Sequence, residues 1–228
     1  MKAFCEEWTN FQIEDPFKTA SLPEPPWLIV APHPDDESLG MGGTIIKARK
    51  ARYPVKIVFV TSGELFADPI IRKEEAQRAV CTLGLSNKDM VFWEIPDGKV
   101  LEHKEIFVQK FVEAINSFQP STIFLPSFIE HHADHRATAR FAWETLEKKA
   151  FDVKSIWLYE VYNLHAFNRL IDISDVFRQK EKAVCKYKSQ LEKLPYHKFV
   201  RALNFFRSLY LCHLGAKYVE AFWEIKLK

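Results

Sequence analysis

The order of apolar runs along this chain predicts an α/β fold of Rossmann-like type, a mostly parallel sheet with helices on both faces. Three observations carry the prediction. Five runs of consecutive, often β-branched apolar residues alternate with stretches of helical periodicity. The runs show no polar alternation, which is how strands buried on both faces read. Several of them stop at proline or glycine, as at Pro32, Gly63 and Pro96, so that a turn follows each strand.

The elements follow in order. Residues 1–26 are polar and irregular and end in prolines Pro23, Pro25 and Pro26, which force extended chain, so they read as a lead-in segment. Trp27–Ala31 is the first strand, the stretch from Gly42 to Arg52 the first helix, and Val55–Thr61 the second strand. A helix from Arg72 to Leu83 stops at the cap Gly84 and precedes the strand Met90–Ile95. Ile106, Phe107, Phe111, Val112 and Ile115 lie on one face of a helix over Glu105–Phe118, which Pro120 ends before the strand Thr122–Leu125. Arg136–Lys149 and Ile156–Val161 complete the alternation. From about residue 173 to 228 it gives way to a mainly helical C-terminal extension with a terminal strand near Val219–Ile225. The whole, 1–228, reads as a single domain, the size at which one core suffices.

Composition removes several classes of function. A net charge of +2 with no long run of one sign argues against a nucleic-acid footprint. No segment approaches the ~18 uninterrupted apolar residues of a membrane span. The N-terminus lacks a charged start followed by an apolar stretch, so no export signal is expected. Cys5, Cys81, Cys185 and Cys212 stand far apart, which fits a reduced, cytoplasmic setting. The aromatic C-terminal segment reads as core or as an interface between copies of the chain, leaving homo-oligomerisation open. Gly40, Gly42 and Gly43 lack the GxGxxG spacing of a dinucleotide site and instead let the first helix approach the sheet.

Chemistry concentrates in two places. After the first strand the chain reads Pro32-His33-Pro34-Asp35-Asp36-Glu37, an imidazole and three carboxylates in a turn that two prolines stiffen. After the fourth it reads Glu130-His131-His132-Ala133-Asp134-His135, where an N-cap role for Asp134 explains one residue but not three imidazoles in five positions. With the strand order 3-2-1-4-5, strands one and four are neighbours and their loops face each other at the switch point. His33, Asp36 and His135 then fall within reach of one ion, a His₂–carboxylate set known from catalytic zinc sites.

These motifs resemble the zinc-dependent LmbE-like, or PIG-L, N-deacetylase family, from about residue 27 to 190. Thr61-Ser62-Gly63-Glu64, the IRKEEAQRA segment, Ile95-Pro96-Asp97-Gly98 and Lys188-Ser189-Gln190 are similar to it as well. The resemblance implies His33, Asp36 and His135 as metal ligands and Asp35 as general base. It further implies His132 as oxyanion stabiliser or acid, oriented by Asp134, Arg72 as a contact to substrate hydroxyl or phosphate groups, and Asp97 as a contact to sugar hydroxyls. Zn²⁺ is the expected ion, with Fe²⁺ or another divalent metal also suited to the donors. Amide hydrolysis needs an activated water at neutral pH, which a metal supplies by lowering its pKa toward about 7. Asp134 beside His132 should favour the charged imidazolium.

The expected activity is removal of an N-acetyl group from an N-acetylglucosamine-type glycoside, sugar nucleotide or glycolipid. The partner is therefore a small-molecule or lipid-linked amino sugar. An amidase acting on a larger acyl-glucosamine conjugate and a non-catalytic metal- or sugar-binding module are the competing readings. Asp35 and His132 argue against the second, since binding alone needs neither.

Overall fold

The structure, a computed structural model, describes residues 19–227, so most of the lead-in segment lies outside the described residues. The sheet strands are β1 (Trp27–Ala31), β2 (Val55–Phe59), β3 (Met90–Phe92), β4 (Thr122–Pro126), β5 (Ser155–Tyr159), β6 (Arg169–Asp172) and β7 (Val219–Lys226). The helices are α1 (Asp36–Lys50), α2 (Pro69–Thr82), α3 (Lys104–Phe118), α4 (Ala133–Lys148), α5 (Phe177–Val184), α6 (Lys188–Leu191) and α7 (Tyr196–Ser208). The strand order is β3-β2-β1-β4-β5-β7-β6. β1 to β5 are parallel in the expected 3-2-1-4-5 arrangement, and β7 runs antiparallel to both β5 and β6.

The doubly buried strands divide the core into two layers. Trp27, Ile29, Ile57, Phe59, Phe124 and Trp157 face the layer of α1, α2 and α5. Leu28, Val30, Val58, Ile123, Leu125 and Ile156 face that of α3 and α4. Neighbouring residues on one strand thus serve opposite layers, which is why the runs contain no polar alternation.

The structure changes three details of the sequence reading. The first helix begins at Asp36, six residues before Gly42, with its regular dihedrals interrupted at Met41 (φ −144°). Its glycines are contact surfaces: a Cβ at Gly40 would stand 2.5 Å from Tyr159 Cδ2, and one at Gly43 2.7 Å from Ile173. Beyond the interruption, Gly43 and Thr44 donate their backbone N–H to the Glu220 carboxylate at 2.8 and 2.7 Å, and Lys180 Nζ pairs with that buried carboxylate at 2.6 Å. Second, β6 forms at the sheet edge, and the C-terminal strand inserts between β5 and β6, so the extension completes the sheet as well as covering it. Third, α4 begins at Ala133 with His132 as its N-cap, whose Nδ1 accepts the Asp134 backbone N–H at 3.2 Å; Asp134 sits in the first turn.

Among the described residues no helix is long and apolar enough to cross a membrane. Arg207 is buried against Glu160 and Arg201 pairs with Glu181, so two of the cations beside the C-terminal aromatics are engaged within the fold.

Candidate metal centre

Topology alone brings the two motifs together. β1 and β4 are adjacent and parallel, so the turn carrying His33, Asp35 and Asp36 and the turn leading into α4 leave the sheet side by side at its carboxyl edge. His33 Nδ1 lies 3.2 Å from His135 Nε2 and 3.5 Å from Asp36 Oδ2, and His135 Nε2 lies 3.2 Å from the same oxygen. Three donors held at roughly 2.0–2.2 Å around one tetrahedral ion stand about 3.3–3.6 Å apart. His135 and Asp36 are fully buried, and Asp36 Oδ1 has no hydrogen-bond partner.

The surroundings also suit a cation. Asp35, Asp36, Asp97 and Asp134 are all buried here, with Arg72 the permanently charged cation among them. Buried like charges of that kind need compensation. Burial on its own would raise the Asp36 carboxyl, but His135 and His33 hold it far below the usual carboxylate range. Burial on its own would lower His33; hydrogen bonds to Asp134, Asp36 and Asp97 raise it well above the ordinary value. The donor set and the charge it gathers therefore fit a divalent ion.

Asp35 adjoins the three donors without being one of them. It is 4% exposed, and its backbone φ of 131° lies where side-chain-bearing residues rarely sit, a strain of order 1–3 kcal/mol that functional sites tolerate. Burial lifts its carboxyl to about 7 against the pull of Arg72, and the adjacent Asp36 charge adds to the lift.

Asp134 and His132 are brought to the centre, but not to each other as the resemblance implies. The Asp134 carboxylate accepts N–H groups from Gly98 at 2.7 Å and Val100 at 3.1 Å and lies 3.3 Å from His33 Nε2. It thus ties the turn at Gly98 and Val100 to His33, and the support its charge gives to an imidazolium at His132 is smaller than the opposing effects. Burial, then the neighbouring His33 and His135, lower the His132 pKa. Because His132 Nδ1 accepts a backbone N–H, the proton of its neutral ring resides on Nε2, and the ring is a donor without being charged.

Arg72 and Asp97 both have partners within the centre. Arg72 is 2% exposed, donates Nη2 to Pro34 O and lies 3.4 Å from Asp35 Oδ2. Asp97 is buried, with Oδ1 2.9 Å from His33 Nε2 and Oδ2 accepting the Leu65 N–H at 3.2 Å. Arg72 thus lies against Asp35, and Asp97 against His33.

The sequence reading passed over Glu130. Its buried carboxylate accepts N–H groups from Val161 at 2.7 Å and Tyr162 at 3.0 Å and lies 4.0 Å from His135 Nδ1, which has no hydrogen-bond partner. The Tyr162 ring stacks on His135 at 5.7 Å between centroids. A carboxylate behind a ligating imidazole fixes its orientation, and loss of such a partner typically weakens metal binding 10–100-fold. Glu130→Gln should show a loss of that size in metal titration; unchanged affinity would confine Glu130 to its loop. Its place at the head of the His-rich run was the available signal.

The chain is similar to known deacetylases. The chain is 26% identical over 205 residues to diacetylchitobiose deacetylase of Thermococcus kodakarensis, covering 79% of this chain and 74% of that one. It is 30% identical over 189 residues to a probable N-acetyl-alpha-D-glucosaminyl L-malate deacetylase 2 of Bacillus cereus, covering 73% and 84%. The solved N,N'-diacetylchitobiose deacetylase of Pyrococcus horikoshii superposes with a TM-score of 0.71 at 26% identity, covering 98% of this chain and 92% of that one. Residues 28–146, which contain both motifs, match the PIG-L family, described as GlcNAc-PI de-N-acetylase, and the chain belongs to that family.

Proposed function

We propose that this chain is a metal-dependent hydrolase that removes the N-acetyl group from an N-acetylglucosamine-type substrate, with zinc as the resident ion held by His33, Asp36 and His135. The observation that carries the reading is the near-equilateral triangle of His33 Nδ1, Asp36 Oδ2 and His135 Nε2, with the strained Asp35 beside it. Family membership and the deacetylase relatives support the choice of amide.

A bound divalent ion would polarise the amide carbonyl and bring the pKa of the attacking water toward about 7. The rest is done by side chains of this chain. Asp35 accepts the water's proton as the new C–O bond forms and later delivers it to the nitrogen as the C–N bond breaks, giving acetate and a free amine. His132 Nε2–H hydrogen-bonds the former carbonyl oxygen as it takes on negative charge. Asp97 and Asp134 keep His33 aligned from behind, and Glu130 does so for His135.

Incubation of the zinc-loaded protein with N-acetylglucosamine and its glycosides should release acetate and primary amine in equal amounts. Metal-loaded protein that releases neither from any of them would overturn the reading.

Arg72 acts through Asp35, which it draws toward the ionised form. Arg72→Gln should therefore raise the Asp35 pKa and move the acid limb of kcat/KM to higher pH, since more alkaline solution is then needed to ionise the base. A raised KM with the limb in place would instead return Arg72 to substrate binding.

A further inference from the structure

Around the mouth of the metal centre the loops present apolar side chains to solvent. Leu65 and Phe66, after β2, are each 60% exposed; Ile129, after β4, is 57%; Leu194, before α7, is 53%; Tyr162, after β5, is 37%. Each is tied to the centre or to its neighbour in the arc. The Leu65 N–H is donated to Asp97 Oδ2, which flanks His33. Lys193, adjacent to Leu194, donates to Phe66 O and lies 4.5 Å from the Phe66 ring centroid. Tyr162 stacks on His135, its hydroxyl is 3.2 Å from that of Tyr196, and Asn163 beside it donates to Ile129 O at 3.0 Å. The arc thus runs from Leu65 past Leu194 to Ile129 on separate loops, those after β2, β4 and β5 at the carboxyl edge of the sheet and the one before α7 joined to them through Lys193 and Phe66.

Exposed apolar groups gathered from several loops around one site mark a surface that is covered in use. The cations nearby are less available: Arg136 is spent on the carbonyls of Glu130 and His131, and Lys193 on Phe66 O. We infer that the substrate carries an apolar aglycone, aliphatic or aromatic, that lies on this arc while the amino sugar occupies the metal centre. The inference rests on the deacetylase reading and deepens it. The arc continues a site that already binds the other half of the same molecule, which is why the occupant is the substrate's own apolar portion. An anionic aglycone would find few free cations there.

An apolar group that binds away from the scissile amide stabilises ground and transition states alike, so it lowers KM and leaves kcat nearly unchanged. Covering an octyl or phenyl group on such a surface should raise kcat/KM roughly 10–100-fold over the methyl glycoside. The test measures acetate release by the zinc-loaded protein from five kinds of compound: N-acetylglucosamine, its methyl glycoside, its octyl and phenyl glycosides in both anomers, and its L-malate glycoside. The expected result is a preference for the octyl or phenyl compound, expressed in KM. In the double variant Phe66→Ser, Leu194→Ser the ratio of apolar to methyl kcat/KM should fall toward one. Equal kcat/KM across the panel, a preference for the malate, or a ratio untouched by the double variant would overturn the inference alone. Release from none of the compounds would overturn the deacetylase reading and the inference with it.

Discussion

Asp35→Asn should lower kcat by roughly 10²–10⁴-fold, the usual contribution of a positioned general base, with metal content and folding retained. The amide fits the same space, yet it cannot accept a proton at working pH. Asp35 is not one of the three close-set donors, so its loss leaves the ligand triangle intact. The same carboxyl should give the wild type an acid limb. Burial raises its pKa, so protonation removes the base at a pH where an exposed carboxylate would still be ionised, and the rate falls as pH drops. That limb should be missing from the residual activity of the variant. Near-wild-type kcat in metal-loaded Asp35→Asn would remove Asp35 from the role.

β1, β4 and β5 were legible because they are buried on both faces, and that leaves an unbroken apolar run such as WLIVA or TIFL in the sequence. Order followed from the common doubly wound arrangement, and it placed the His33 and His135 loops side by side. The edge strand β6 left no such trace: RLID is short and carries charge at both ends, as an edge permits. The insertion of β7 beside β5 depends on pairing across some seventy positions, which periodicity does not encode.

Within the site, residue types were legible and side-chain directions were not. Spacing placed Asp134 two residues from His132, but the helix start turns its carboxylate to Gly98, Val100 and His33. The reading of Arg72 as a substrate contact did not foresee that Gly63 and Pro34 leave room for its guanidinium beside Asp35. Glu130 gathers its partners from the loop after β5, thirty-odd residues away in sequence. These relations arise when loops from different strands converge, and no local pattern records them.

His135→Ala should abolish stoichiometric metal binding and with it nearly all turnover. The side chain is fully buried, and its Nε2 is 3.2 Å from both remaining donors, so alanine leaves one imidazole and one carboxylate with no replacement at that vertex. The effect should also appear without any substrate. Metal that binds only the folded state stabilises it by RT ln(1 + [metal]/Kd), about 4 kcal/mol at a free concentration a thousand times Kd. For a chain of this size roughly 2–4 °C of thermal midpoint accompanies each kcal/mol. Chelation should therefore lower the midpoint of the wild type, and added zinc should restore it. The buried carboxylates sharpen that difference, because removal of a cation returns Asp35, Asp36, Asp97 and Asp134 to mutual repulsion partly offset by Arg72 and His33. In His135→Ala, chelator and zinc should both leave the midpoint unmoved. One zinc per chain in this variant, or a zinc-dependent midpoint like that of the wild type, would take His135 out of the ligand set.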